Sequence, residues 1–112
     1  MNEFIAYLSS KIEESKAETA ALLADGRRDD ANFSKVRTNI YDVCRTVGQA
    51  LMNRPGAGTD AVRAQLERFR TEWSAALEKA KQHENAGGIV TEEIKLAALE
   101  DIIVHFQEAD KA

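Results

Sequence analysis

Cysteine is almost missing from this chain: the 112 residues hold one, Cys44. A single thiol closes no intramolecular disulfide. A secreted scaffold stapled by disulfides is excluded, and a reducing cytoplasmic compartment is expected. Proline also occurs once, at Pro55. Long apolar runs are lacking too. The longest, Ala20 to Ala24, covers five residues, against the roughly 20 that a membrane span requires. The start, Met1-Asn2-Glu3, has no basic segment with an apolar stretch behind it, so no signal peptide is expected. An excess of positive charge is missing as well. Lys and Arg number 15 against 19 Asp and Glu, a net charge of -4. That balance argues against a protein whose main task is gripping the phosphate backbone of nucleic acid.

What is present is the composition of a folded protein, with 44% hydrophobic and 30% charged residues. The length suits one domain over residues 1–112 and leaves no room for a second core. Helix breakers fall in three clusters, at residues 25–30, 54–59 and 85–88. Between them lie four stretches of helical periodicity, and no alternating Val/Ile/Thr pattern marks a strand. The spacing predicts helices over 2–24, 31–53, 60–84 and 91–109. Gly26 is placed to end the first. Asp29 or Asp30 is expected to cap the second, and Thr59 or Asp60 the third. The fourth is expected to start at Thr91.

The apolar stripes follow heptad spacing. The first runs through Ile5, Leu8, Ile12, Ser15, Thr19 and Leu22, widened by Phe4 and Leu23. The second is Phe33, Val36, Ile40, Val43, Val47 and Ala50. The third is Val62, Leu66, Phe69, Trp73, Ala76 and Ala80. The fourth is Leu96, Leu99, Ile103 and Phe106, widened by Ile94, Ala98 and Ile102. Heptad stripes and short links favour an all-α, antiparallel up-down-up-down four-helix bundle. In such a bundle the second and fourth helices are diagonal. Val36, Ile40, Val47, Leu66, Phe69 and Ile103 are expected in the core. Alanine accounts for 18 residues, so a few large side chains must carry most of the burial.

The candidate chemical groups are sparse. Di-iron-type bundles place Glu-x-x-His pairs on two helices, whereas Ala80 and Ile102 stand three residues before His83 and His105. Asp101, His105 and Glu108 share one helix face. That triple suits either a lone ligand group or an ordinary solvated face, and the solvated face is the expectation. His83 is expected at the surface near the end of the third helix. Cys44 lies beside Ile40 and Val47 and is expected to pack as a small hydrophobe. Gly56-Ala57-Gly58-Thr59 precedes a helix start, but it lacks the spacing and lysine of a phosphate loop. No catalytic set, metal set or cofactor site emerges.

Two features point outward instead. Residues 87–112 hold two lysines against six acids, while residues 25–58 hold six basic and four acidic side chains. The apolar surface of the fourth helix is wider than one core needs. Val104, with Ala97 one heptad before it, falls outside the stripe, and Tyr7, Tyr41 and Met52 are surplus in the same way. The resulting expectation is a non-catalytic cytoplasmic bundle that acts by binding a protein partner or itself. A two-fold homodimer through the fourth helix is its expected form, with no nucleic-acid or membrane partner. The alternative is a bundle that binds a small ligand or a metal. It rests on the hydroxyls of Ser15 and Thr19, which sit at core positions but also suit bonding to their own helix's carbonyls.

Overall fold

The computed structural model describes residues 2–56 and 58–111. Within them the chain is all-α: α1 Asn2–Ala24, α2 Arg28–Met52, α3 Gly58–Gln82 and α4 Ala86–Lys111. The four helices form a bundle, as the heptad stripes require.

The links are short and mostly backbone-bonded. After α1, Gly26 takes φ +75. Its N–H donates to the Leu23 carbonyl at 3.1 Å, and Arg27 N–H donates to Leu22 at 2.9 Å. This paired closure satisfies carbonyls that the helix end leaves open. α2 then begins at Arg28, three residues earlier than its periodicity suggests. Asp29 and Asp30 therefore lie in its first turn, where they meet the positive end of the dipole rather than capping it. Thr59 and Asp60 likewise sit inside the first turn of α3.

The largest boundary correction is at α4. It starts at Ala86, five residues before Thr91, and Gly87 and Gly88 are its first-turn residues rather than a loop. The reason is Asn85, whose side-chain Oδ1 accepts from Gly88 N–H at 3.1 Å. A Cβ on Gly88 would fall 2.7 Å from Asn85 Nδ2. Glycine at that position leaves room for the cap.

The packing is rhombic rather than square. α1 lies along α2, and α3 along α4. α2 and α4 also touch each other across the centre, and α1 and α3 do not meet among the described residues. The expectation that α2 and α4 stand apart on a diagonal is thus corrected: they form the short diagonal. The dimensions agree, at 45 × 35 × 21 Å. The smallest is about two helix diameters of ~10–12 Å. The radius of gyration is 15.1 Å, above the ~13 Å of a compact domain of this length.

Small side chains explain the close α1–α2 contact. α2 turns Ala31, Ser34, Tyr41, Cys44 and Gly48 inward, a face rotated by about one residue from the Val36–Val43–Val47 stripe. Ile40, Leu66 and Ile103 are buried as expected. Val36, Val47 and Phe69 are half-buried, which corrects their placement in the core. Burial fades along α3: Val62 and Leu66 are buried, whereas Phe69, Trp73, Ala76 and Ala80 on the same face are half-buried. At the flank of the rhombus α3 has only two neighbours. The filled core instead gathers Phe4, Leu8 and Ile12 with Leu99, Ile102 and Phe106. Phe4 and Phe106 meet edge to face at 5.3 Å.

Candidate functional site

Ser15 and Thr19 of α1 face Ser34 and Thr38 of α2 and form a hydroxyl seam between the helices. Thr19 Oγ1 donates to Ser34 Oγ at 2.8 Å, and Ser34 Oγ donates to the Ser15 carbonyl at 3.1 Å. Thr38 Oγ1 donates to Ser15 Oγ at 2.7 Å, and Ser15 Oγ to the Ile12 carbonyl at 3.1 Å. Thr19 Oγ1 also reaches the Ser15 carbonyl at 2.8 Å and Thr38 Oγ1 the Ser34 carbonyl at 3.2 Å, so every hydroxyl of the seam has an acceptor within the protein. Two open concavities adjoin the seam: one of about 140 Å³ beside Ser15, walled by Lys11, Glu14, Glu18, Arg37 and Tyr41, and one of about 320 Å³ beside Thr19 and Thr38, walled by Lys16, Lys35 and Asn39. Ser34 and Thr38 escaped the sequence reading because an apolar stripe ran beside them on the same helix. The signal was a second heptad of small and polar residues facing the polar positions of α1.

Cys44 is buried. Desolvation pushes its thiol up to about 12, which keeps it protonated and unreactive at neutral pH. The packing role expected for it fits this environment.

Asp101, His105 and Glu108 lie on one exposed side of α4. The His105 ring stacks on Tyr7, with centroids 3.8 Å apart and planes 10° apart. Its Nδ1 lies 3.0 Å from the Asp101 carbonyl, one turn back on its own helix. The described residues hold no group of three or more His, Cys, Asp or Glu side chains arranged for a metal ion. Burial is the largest cause raising the Tyr7 phenol above its usual range, followed by Tyr41 and Asp101. The Tyr41 phenol is raised too, again chiefly by burial and then by Asp101. Tyr41 is buried at the core, and Tyr7 and Met52 pack against it. None of the three is surplus surface, which corrects that expectation.

His83 is exposed beyond the end of α3. Gly56 and Gly58 both take positive φ, at +77 and +67, so the Gly-x-Gly serves the tight turn into α3; Ala57 between them lies outside the described residues. No helix of the described residues is long and apolar enough to cross a membrane.

Charge is distributed differently from the sequence expectation. The acids of α4 do meet a basic neighbour, because α3 supplies one. Arg70 grips Glu100 with two bonds, at 2.8 and 2.9 Å, and Arg63 pairs with Asp110. Glu92 pairs with Lys95. That leaves Glu93, Asp101 and Glu108 exposed and without an ion-pair partner among the described residues, Asp101 on the border nearest Tyr7 and Tyr41.

Val104 is 52% exposed, as expected for a residue off the core stripe. Val90 is also exposed, at 39%, and Ala97 stands between them. Val90, Ala97 and Val104 recur at intervals of seven and form an outer stripe about 21 Å long at ~1.5 Å per residue. The sequence reading missed Val90 because it started the helix one residue later. Comparison with protein-family models, with curated proteins and with solved structures finds no match to this chain.

Proposed function

We propose that this bundle is a non-catalytic binding module that acts through a protein–protein contact or self-association, with the outer side of α4 in the contact. One observation carries the reading: the exposed Val90–Ala97–Val104 stripe lies opposite the core-facing residues of the same helix. A helix with one apolar face buried in its own core gains nothing from a second one unless another surface covers it. The three unpaired acids beside the stripe provide specificity at its rim, since charged borders select partners and steer encounter.

The alternative, a ligand- or metal-binding bundle, draws its motive from Ser15 and Thr19. Their hydroxyls are taken up by Ser34, Thr38 and backbone carbonyls, so a ligand in the open concavity beside Thr19 and Thr38 would meet hydroxyls already bonded within the protein.

Sedimentation of wild-type protein and of Val104→Lys tests the proposal. The wild type is expected to associate at micromolar concentration, and Val104→Lys to lose that association while keeping its helicity. A wild type that stays monomeric and captures no partner through this face refutes the reading.

A further inference from the structure

The outer stripe of α4 is acidic at its borders, and a second α4 stripe would bring Glu93, Asp101 and Glu108 against their own copies. Like charges facing one another are unfavourable. Lys111, at the far end of the helix, offsets only one of the three. The chain carries a better match elsewhere. α2 has its own free side, formed by Val36, Val43 and Ala50 at intervals of seven. Val43 is 40% exposed, Ala50 is exposed, and Val36 is half-buried. At ~100° per residue these three positions fall within about 40° of one another. The exposed amides of Asn32 and Asn39 lie alongside and add no charge. Arg28 and Lys35 border the strip. The other charged residues of α2 are mostly committed: Arg37 to Glu18, Arg45 to Asp42, and Asp30 to Arg27. Asp29, seven residues before Val36, is the one remaining acid and continues the stripe at its N-terminal end, where Arg28 and Lys35 outnumber it by one; Arg54 lies in the link beyond α2. The free charge on α2 is therefore net positive, and that on the outer side of α4 is net negative.

We infer that the occupant of the α4 stripe is the α2 stripe of a second copy of this chain. The inference rests on the binding role proposed above and names its partner. Its geometry has a consequence for assembly. α2 and α4 touch each other across the centre of the bundle, so their free sides look out from opposite broad faces. Contact between two different patches on opposite faces is heterologous. It leaves one patch free at each end and adds copies head to tail, rather than closing a two-fold dimer.

The test uses two full-length variants, Val43→Glu and Val104→Glu, each blocking one stripe. Glutamate at both positions makes the two blocked faces repel rather than pair. Circular dichroism checks that both stay helical. Sedimentation is then run on wild type, on each variant and on an equimolar mixture. Wild type is expected to grow with concentration beyond two protomers. Each variant alone is expected to run as a 12.4 kDa monomer. The mixture is expected to form a species of twice that mass and nothing larger, because the α4 stripe of Val43→Glu docks on the α2 stripe of Val104→Glu. Association of the wild type is expected to weaken as salt is raised. If Val43→Glu still associates while Val104→Glu does not, the α4 contact stands and the α2 partner is wrong. The inference also fails if the mixture stays monomeric. A wild type that is monomeric throughout overturns self-association itself.

Discussion

Glu84 is held in a backbone conformation that suits glycine. Its φ is +53, the only non-glycine positive φ among the described residues. The strain is imposed from both sides. Glu84 N–H donates to the Lys81 carbonyl at 3.1 Å and Asn85 N–H to Ala80 at 2.9 Å, which closes α3. Asn85 in turn caps α4 through Gly88. One residue ends a helix and the next begins another, so no slack exists to relax φ. A side chain in the left-handed region costs roughly 1–2 kcal/mol. Glycine avoids that cost but loses about 0.5–1 kcal/mol more chain entropy on folding. Glu84→Gly is therefore expected to stabilise the protein by about 0.5–1 kcal/mol. Removing a carboxylate from a helix C-terminus adds a few tenths at most, and Glu84→Gln isolates that part. Thermal unfolding followed by circular dichroism should show a rise of about 2–5 °C for Glu84→Gly. Glu84→Ala should show no comparable gain. If Glu84→Gln matches Glu84→Gly, the gain is electrostatic and the strain argument is wrong. If Glu84→Gly is less stable than wild type, the link is not constrained as described.

Phe106 is buried against Phe4, so Phe106→Ala is expected to cost about 3–5 kcal/mol in urea denaturation. Phe69 is half-buried and stacks on Trp73 at 4.9 Å, so Phe69→Ala should cost about 2 kcal/mol, roughly half as much; equal losses would contradict the fading burial along α3. Gly48 lies within α2, and a Cβ there would meet Ile5 Cδ1 at 3.6 Å, an ordinary contact. Gly48→Ala should raise stability by about 0.5–1 kcal/mol through helix propensity, and a measured loss would show that α1 and α2 tolerate no added methyl. Cys44 has its thiol raised from 9.0 to about 12 by burial. Below pH 9 folded and unfolded thiols are both protonated; above it the unfolded thiol ionises first, so stability should fall as pH rises from 9 toward 12. Tyr7 and Tyr41, also raised, add to the fall at higher pH. Urea midpoints between about pH 8 and 10 should therefore decline less steeply in Cys44→Ala than in wild type, and identical slopes would refute the assignment.

The class of fold was written in periodicity. Heptad spacing and three breaker clusters specify four amphipathic helices, because apolar side chains repeating every three or four residues form a face only on a helix. Gly26 marks the end of α1 for a local reason: its left-handed backbone is free of a Cβ penalty. Ile12, Leu66, Leu99 and Ile103 were legible as core because each sits on the main apolar stripe of its helix. Cys44 was legible as a packed thiol because Ile40 and Val47 lie one turn to either side of it.

Where two faces of one helix were both plausible, local pattern did not choose. On α2 the Val36–Val43–Val47 stripe is the more apolar. Yet the face turned to α1 is the one with Ser34, Gly48 and Ala31, since small groups let the helices approach and their hydroxyls find partners across the seam. On α4 the start was hidden by Gly87 and Gly88, which read as a loop until Asn85 is seen capping them. Only that cap brings Val90 onto the helix and completes the outer stripe with Ala97 and Val104. Local pattern is enough to say which segments are helical, since that depends on spacing along the chain. Which stripe is buried follows from which side of each helix its neighbours cover: α2 turns the face with Ala31, Ser34 and Gly48 inward although the Val36–Val43–Val47 stripe is more apolar. In a rhombic bundle α2 and α4 share the centre, and α1 and α3 stand at the flanks.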